Sequence, residues 1–146
     1  MNIYHLQTDG KAQSTGRLMY EVVDRYYKDM APYASWSVID VFNLIKSLPY
    51  RPDPPECETL MRPSHTLAMR GYGGDCDCKA IALCSWARLQ SLPYRFIAIR
   101  RPGRKNLHHV ATEIYLRNQW IFFDPTYSFN TFGRKREEAE RVYLTR

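Results

Sequence analysis

Four cysteines, four histidines and fifteen carboxylates supply the covalent and acid–base chemistry open to this 146-residue sequence. One cysteine is set apart by its neighbours. Cys76 follows Gly73-Gly74-Asp75 and opens a long apolar run. Two glycines let the backbone turn sharply and keep bulk away from the sulfur. A cysteine in the first turn of a helix sits among unpaired N–H groups and at the positive end of the macrodipole. Both favour a thiolate, and the same N–H groups can hold an oxyanion. Asp75 and Asp77 flank the sulfur and oppose this, so an imidazolium partner has to overcome them.

A histidine and an aspartate fall into place on a hairpin. With Arg117-Asn118 as a two-residue turn, Leu116 faces Gln119 and Ala111 faces Asp124. His109 then shares a face with Asp124 as a diagonal neighbour, about 7–8 Å away at the backbone and within reach of long side chains. His108 points the other way, and a one-residue slip would exchange the two. Cys76 as nucleophile, His109 as base and Asp124 as orienter have the logic of a catalytic triad on three separate elements.

Metal ligation is the rival use of the thiols. It would draw on Cys57, Cys76, Cys78 and Cys84, with His65 or His109. Cys-x-Cys on a helix sends its sulfurs to nearly opposite sides, and no second close ligand pair follows. No metal or other cofactor is therefore expected. Cys84 lies two turns deeper on a different helix face and reads as core.

The elements that must position these groups follow from periodicity. Leu18, Met19, Val22, Val23, Tyr26 and Tyr27 predict an amphipathic helix over 15–30. A second is predicted over 37–47, capped by Ser35 or Ser37 and ended by Leu48-Pro49. Residues 1–13 are expected to form an extended lead-in. Prolines and glycines over 49–75 exclude a long regular element and deliver the chain to Cys76. A buried helix is predicted over 76–92, then strands over 95–100, 108–116 and 119–124. The tail is expected to hold a helical turn over 136–141 and a closing strand over 142–144. Helices first, then an antiparallel sheet, is an α+β architecture in one domain spanning 1–146.

Three segments now carry a resemblance: Gly74-Asp75-Cys76-Asp77-Cys78-Lys79-Ala80, His109-Val110-Ala111-Thr112-Glu113-Ile114-Tyr115, and Trp120-Ile121-Phe122-Phe123-Asp124-Pro125-Thr126. In type and order they resemble the signature blocks of the transglutaminase-like superfamily. Leu48-Pro49-Tyr50-Arg51-Pro52-Asp53 and Arg62-Pro63 are similar to lead-in segments of its small bacterial and phage members. The resemblance covers roughly 38–126 and implies a papain-like fold with Cys–His–Asp chemistry. Cys78 departs from it, because the family often has an acidic residue there. The side chain that binds the oxyanion is not assigned by it; Ser64, His65 and Tyr50 are the candidates.

The function expected is thiol-dependent acyl transfer: hydrolysis of a peptide, isopeptide or amide bond through a thioester. Transglutaminase-type cross-linking is the alternative, less favoured because this sequence lacks the extra domains of large transglutaminases. A binding or structural module on the same fold, for example in a phage particle, is the other. A protein or peptide is the expected partner. The formal charge is +6, concentrated in Arg100–Lys105 and Arg134–Arg136, which read as solvated rims able to touch an acidic surface or nucleic acid weakly. No apolar run is long enough to span a bilayer and no signal segment is visible, so a cytoplasmic or virion-associated protein with no membrane partner is expected.

Overall fold

The computed structural model describes residues 3–7, 12–53, 57–68 and 73–146, with side chains throughout except at 3–7, 57 and 58. Strand β1 (Ile3–Gln7) pairs antiparallel with β2 (Cys57–Met61). Helix α1 spans Ala12–Tyr26, α2 Val38–Ser47, α3 Pro63–Thr66 and α4 Cys76–Leu89. Strands β3 (Tyr94–Arg100), β4 (His109–Leu116), β5 (Gln119–Phe123) and β6 (Glu140–Tyr143) form an antiparallel sheet in the order β5-β4-β3-β6. Helices packed on an antiparallel sheet make this the α+β architecture that the element order predicts, in the papain-like form that the resemblance implies. Among the described residues, no helix is long and apolar enough to cross a membrane.

Helix α4 is the axis of the core. From Asp77 to Ala87 every residue is buried, so the helix has no solvent face until Arg88. One apolar cluster joins Met19, Val22 and Val23 of α1 to Ile81 and Cys84 of α4 and Phe96 of β3. A second joins Val41, Phe42 and Ile45 of α2 to Leu83 and Trp86 of α4 and to Ile114 and Phe123 of the sheet. Burial on both flanks is why its sequence is apolar all round rather than striped.

Several local expectations are revised. The first helix begins earlier and gives way to a 3₁₀ segment, Tyr27–Tyr33. Pro32 lacks an N–H and crowds the turn before it, so the chain winds tighter while still burying Met30. Ser37, not Ser35, caps α2, its hydroxyl accepting from the Asp40 N–H at 3.1 Å. Residues 49–75 contain β2 and α3, which period alone did not reveal; Pro63 presets the first turn of α3. The lead-in forms β1 of that pair. No helical turn forms over 136–141. Arg141 is drawn to Glu113 and Glu138, both at 2.9 Å, while 140–143 pair with β3, so ion pairing and ladder bonds override local helix preference. The Arg117-Asn118 turn and the Leu116↔Gln119 register stand as read, with φ of 51° and 65° at the two turn residues.

Candidate active site

Cys76 is placed by two close approaches beneath it. Gly73 has φ of +81°, and a Cβ there would collide with the Pro49 carbonyl. A Cβ on Gly74 would lie 2.5 Å from the Cys78 Cβ. Gly74 accepts from the Arg51 N–H at 3.0 Å and donates to Pro49 at 3.2 Å, which seats Tyr50 beside the approach to the thiol. The glycines thus serve this backbone stitch more than they clear space at the sulfur. Asp75 is the N-cap of α4, accepting from the Cys78 N–H at 3.2 Å.

Cys76 is half-buried, and its sulfur faces Asp77 Oδ1 at 3.8 Å. Burial raises its pKa well above the usual thiol range, and the carboxyls of Asp77, Asp75 and Asp124 add to this. The Val110 N–H, which hydrogen-bonds the sulfur, pulls the other way without prevailing. Raised in this way, the resting group is a thiol. The Val110 contact also brings the sulfur to the start of β4, one residue from His109.

His109 and Asp124 meet directly, Nε2 to Oδ2 at 2.8 Å, and both are buried. His108 instead turns to the Asn106 carbonyl, 3.3 Å from Nδ1. The other carboxylate oxygen, Oδ1, accepts from the Thr126 hydroxyl at 2.6 Å and the Thr126 N–H at 3.2 Å. Burial pushes the Asp124 pKa up, but the bonds from His109 and Thr126 together hold it below the ordinary carboxylate range. Its backbone carbonyl accepts from Asn130 Nδ2 at 3.0 Å. The Tyr127 ring lies near-parallel to His109, centroids 6.2 Å apart at 8°.

Two cations to which the sequence assigned no place at the site complete the surroundings. Lys79 is 1% exposed and donates to the Leu48 carbonyl at 2.6 Å and the Thr126 carbonyl at 2.8 Å. It ties α4 to the end of α2 and to the Asp124–Thr126 segment. Burial lowers its pKa to about 8, with Asp124 partly restoring it. The only signal was a lysine inside a run otherwise buried, which periodicity cannot distinguish from an exposed one. Arg101 was assigned to a solvated rim; instead it is largely covered, 3.7 Å from Asp124 Oδ2 and donating to the Glu137 carbonyl at 3.2 Å.

A family model described as the transglutaminase-like superfamily matches residues 17–125. The chain belongs to the transglutaminase-like superfamily. A solved protein from Cytophaga hutchinsonii, described as a "putative cysteine protease", is similar at 16% identity and a TM-score of 0.45. That likeness covers 94% of this chain and 45% of that one. This chain thus spans less than half the length of that protein. No curated protein matches.

Within this transglutaminase-like chain the three signature segments occupy the start of α4, strand β4 and the end of β5. The unusual Cys78 is buried, its thiol donating to the Thr59 carbonyl at 3.3 Å, so it serves packing beneath Gly74. Cys84 is in the apolar core with Tyr20 and Phe96. The Cys57 side chain lies outside the described residues. The carboxyl oxygens of Asp53, Asp75 and Asp77 do converge within 4.8 Å. Burial and a hydrogen bond to Asp53 push the Asp75 pKa up to about 8, which leaves a protonated carboxyl in that group at neutral pH. Of the oxyanion candidates, the Ser64 N–H bonds Asp29 at 3.1 Å and His65 is buried in α3. Tyr50 is near enough to Cys76 for the two to interact electrostatically.

Proposed function

We propose that this chain is a thiol acyl-transfer enzyme that hydrolyses a peptide, isopeptide or other amide bond, with Cys76, His109 and Asp124 as its catalytic residues. The 2.8 Å bond between His109 Nε2 and Asp124 Oδ2 is the observation that carries the reading. It commits one ring nitrogen to the carboxylate and leaves Nδ1 to exchange a proton with the thiol.

Because the resting sulfur is a thiol, His109 acts as a general base during attack. Nδ1 takes the thiol proton as sulfur bonds to the carbonyl carbon. Asp124 steadies the imidazolium, which then protonates the amine as the C–N bond breaks and a thioester remains. Water attacks the thioester, giving one proton back to Nδ1, and the carboxylic acid leaves as the thiol re-forms. The N–H groups in the first turn of α4 and the Tyr50 hydroxyl are the expected oxyanion donors. Burial and nearby negative groups raise the Tyr50 pKa, so this phenol stays a donor. Attack of an amine in place of water would give cross-linking by the same steps.

A non-catalytic module is the second reading, favoured by the carboxyls that hold the Cys76 proton on. The two separate on acylation by p-nitrophenyl acetate, followed by mass mapping. The enzyme reading expects an acetyl adduct on Cys76, slowed about a hundredfold or more in His109→Ala. Acetylation of Cys76 that is absent, or indifferent to His109→Ala, would sink it.

A further inference from the structure

Beyond the triad, a row of aromatic rings leads from His109 to the surface. Tyr127 lies near-parallel to His109 on one side of the row and to Phe129 on the other, the second pair at 5.1 Å and 5°. Tyr50 joins the row at 5.5 Å from Tyr127. The row opens to solvent: Tyr50 is 46% exposed and Phe129 65%. Its outer end carries a cation, the Arg136 guanidinium 5.5 Å from the Phe129 centroid, within the stretch Arg134-Lys135-Arg136-Glu137-Glu138, of which Glu138 is paired with Arg141.

Scattered exposed rings are ordinary, but contiguous ones running out of a reactive site mark a binding surface. Arg136 already offers Phe129 a partner and still leaves most of it in water. The loop that carries the rings is also held. The Asn130 N–H donates to the Tyr127 carbonyl at 3.0 Å, its side chain to Asp124, and its own carbonyl accepts from Lys46 at 2.8 Å. A surface fixed in advance loses little freedom on binding, which is what a recognition site requires.

We infer that the Tyr50–Tyr127–Phe129 row with Arg136 is a substrate subsite for a peptide bearing an aromatic side chain and a neighbouring acidic residue close to the amide that is cleaved. The inference rests on the thiol acyl-transfer reading of Cys76, since that chemistry selects an acyl substrate over a nucleobase for the same rings. The aromatic side chain stacks on the open ring surface, and the acid meets Arg136.

The test uses Cys76→Ala protein, so that binding is read without chemistry. Fluorescence anisotropy is measured with a labelled Gly-Gly-Glu-Phe-Gly-Gly peptide and its Phe-to-Ala and Glu-to-Lys forms. Phe129→Ala is expected to weaken the parent peptide about tenfold and the Ala peptide little. Arg136→Glu is expected to weaken the acidic peptide and leave the Lys form unchanged or tighter. Both residues are exposed, so neither variant threatens the fold. Equal affinity for all three peptides, no binding of any, or tighter binding of labelled oligothymidylate would each overturn the inference. Acetylation of Cys76 in the otherwise native protein reports on the triad separately, and either result can fail alone.

Discussion

At the scale of single residues the balance around one sulfur decides most. Cys76 has a helix terminus and the Val110 N–H on its side, and burial with three carboxyls against it. Desolvation is the largest of these, and the nearest carboxyl belongs to Asp77. Removing that negative charge makes the thiolate less costly, so the thiol pKa falls. Asp77→Asn is therefore expected to speed iodoacetamide labelling of Cys76 at pH 7–8 by about tenfold, one pKa unit's worth, and to move its pH midpoint to lower pH. Labelling of Cys84 in the apolar core should stay slow in both proteins. An unchanged midpoint at Cys76 would show that the Asp77 charge does not help hold the proton on.

Among the elements, α4 and the 124–130 loop matter as a pair. The loop has no ladder to hold it, so its order comes from side chains that reach in: Lys79 to Thr126, Asn130 to Asp124, and Thr126 to the Asp124 carboxylate. Lys79 alone of these reaches in from α4 rather than from the loop itself. Lys79→Met would leave the Leu48 and Thr126 carbonyls without their donor in a buried setting. The expected cost is about 2–4 kcal/mol in urea unfolding, with acylation of Cys76 slowed because Asp124 loses its footing. A change below about 0.5 kcal/mol would mean that water replaces the amine.

Over the whole molecule, the last strand's end closes on the first helix. Leu144 donates its N–H to the Phe96 carbonyl at 2.9 Å and accepts from the Tyr20 hydroxyl at 2.9 Å. Its side chain fills the groove over Gly16, where a Cβ would come within 2.9 Å of the Leu144 Cβ. The last residues thus pack against the first helix and the sheet together. Leu144→Ala is expected to cost about 2–4 kcal/mol while unfolding remains one transition, because both partners belong to the cluster built on α4. Two resolved transitions in calorimetry would contradict the single cooperative unit proposed for the chain. The basic residues also divide at this scale. Arg136 lies on an exposed ring, whereas Arg101 and Arg141 are spent on Asp124, Glu113 and Glu138.

What could be read from the residues alone was whatever depends on neighbours along the chain. The hairpin register follows from period two and a two-residue turn, so the choice of His109 over His108 as the partner of Asp124 was available before any coordinates. The helix start at Cys76 was legible from its glycines and the apolar run after it, and the three signature segments made the family legible as well. Tertiary structure decided what depends on distant partners. The β1–β2 pair joins segments some fifty residues apart, with no local pattern to announce it. The loss of the predicted turn over 136–141 was settled by Glu113, a residue on another strand. Arg101 looked like a solvent charge until the fold placed a carboxylate against it, and Lys79 has its role only through the distant Leu48 and Thr126 carbonyls. The protonation of Cys76 belongs to this second group, since its largest cause is burial, which only the packed molecule defines and which acts in the same direction as the flanking aspartates.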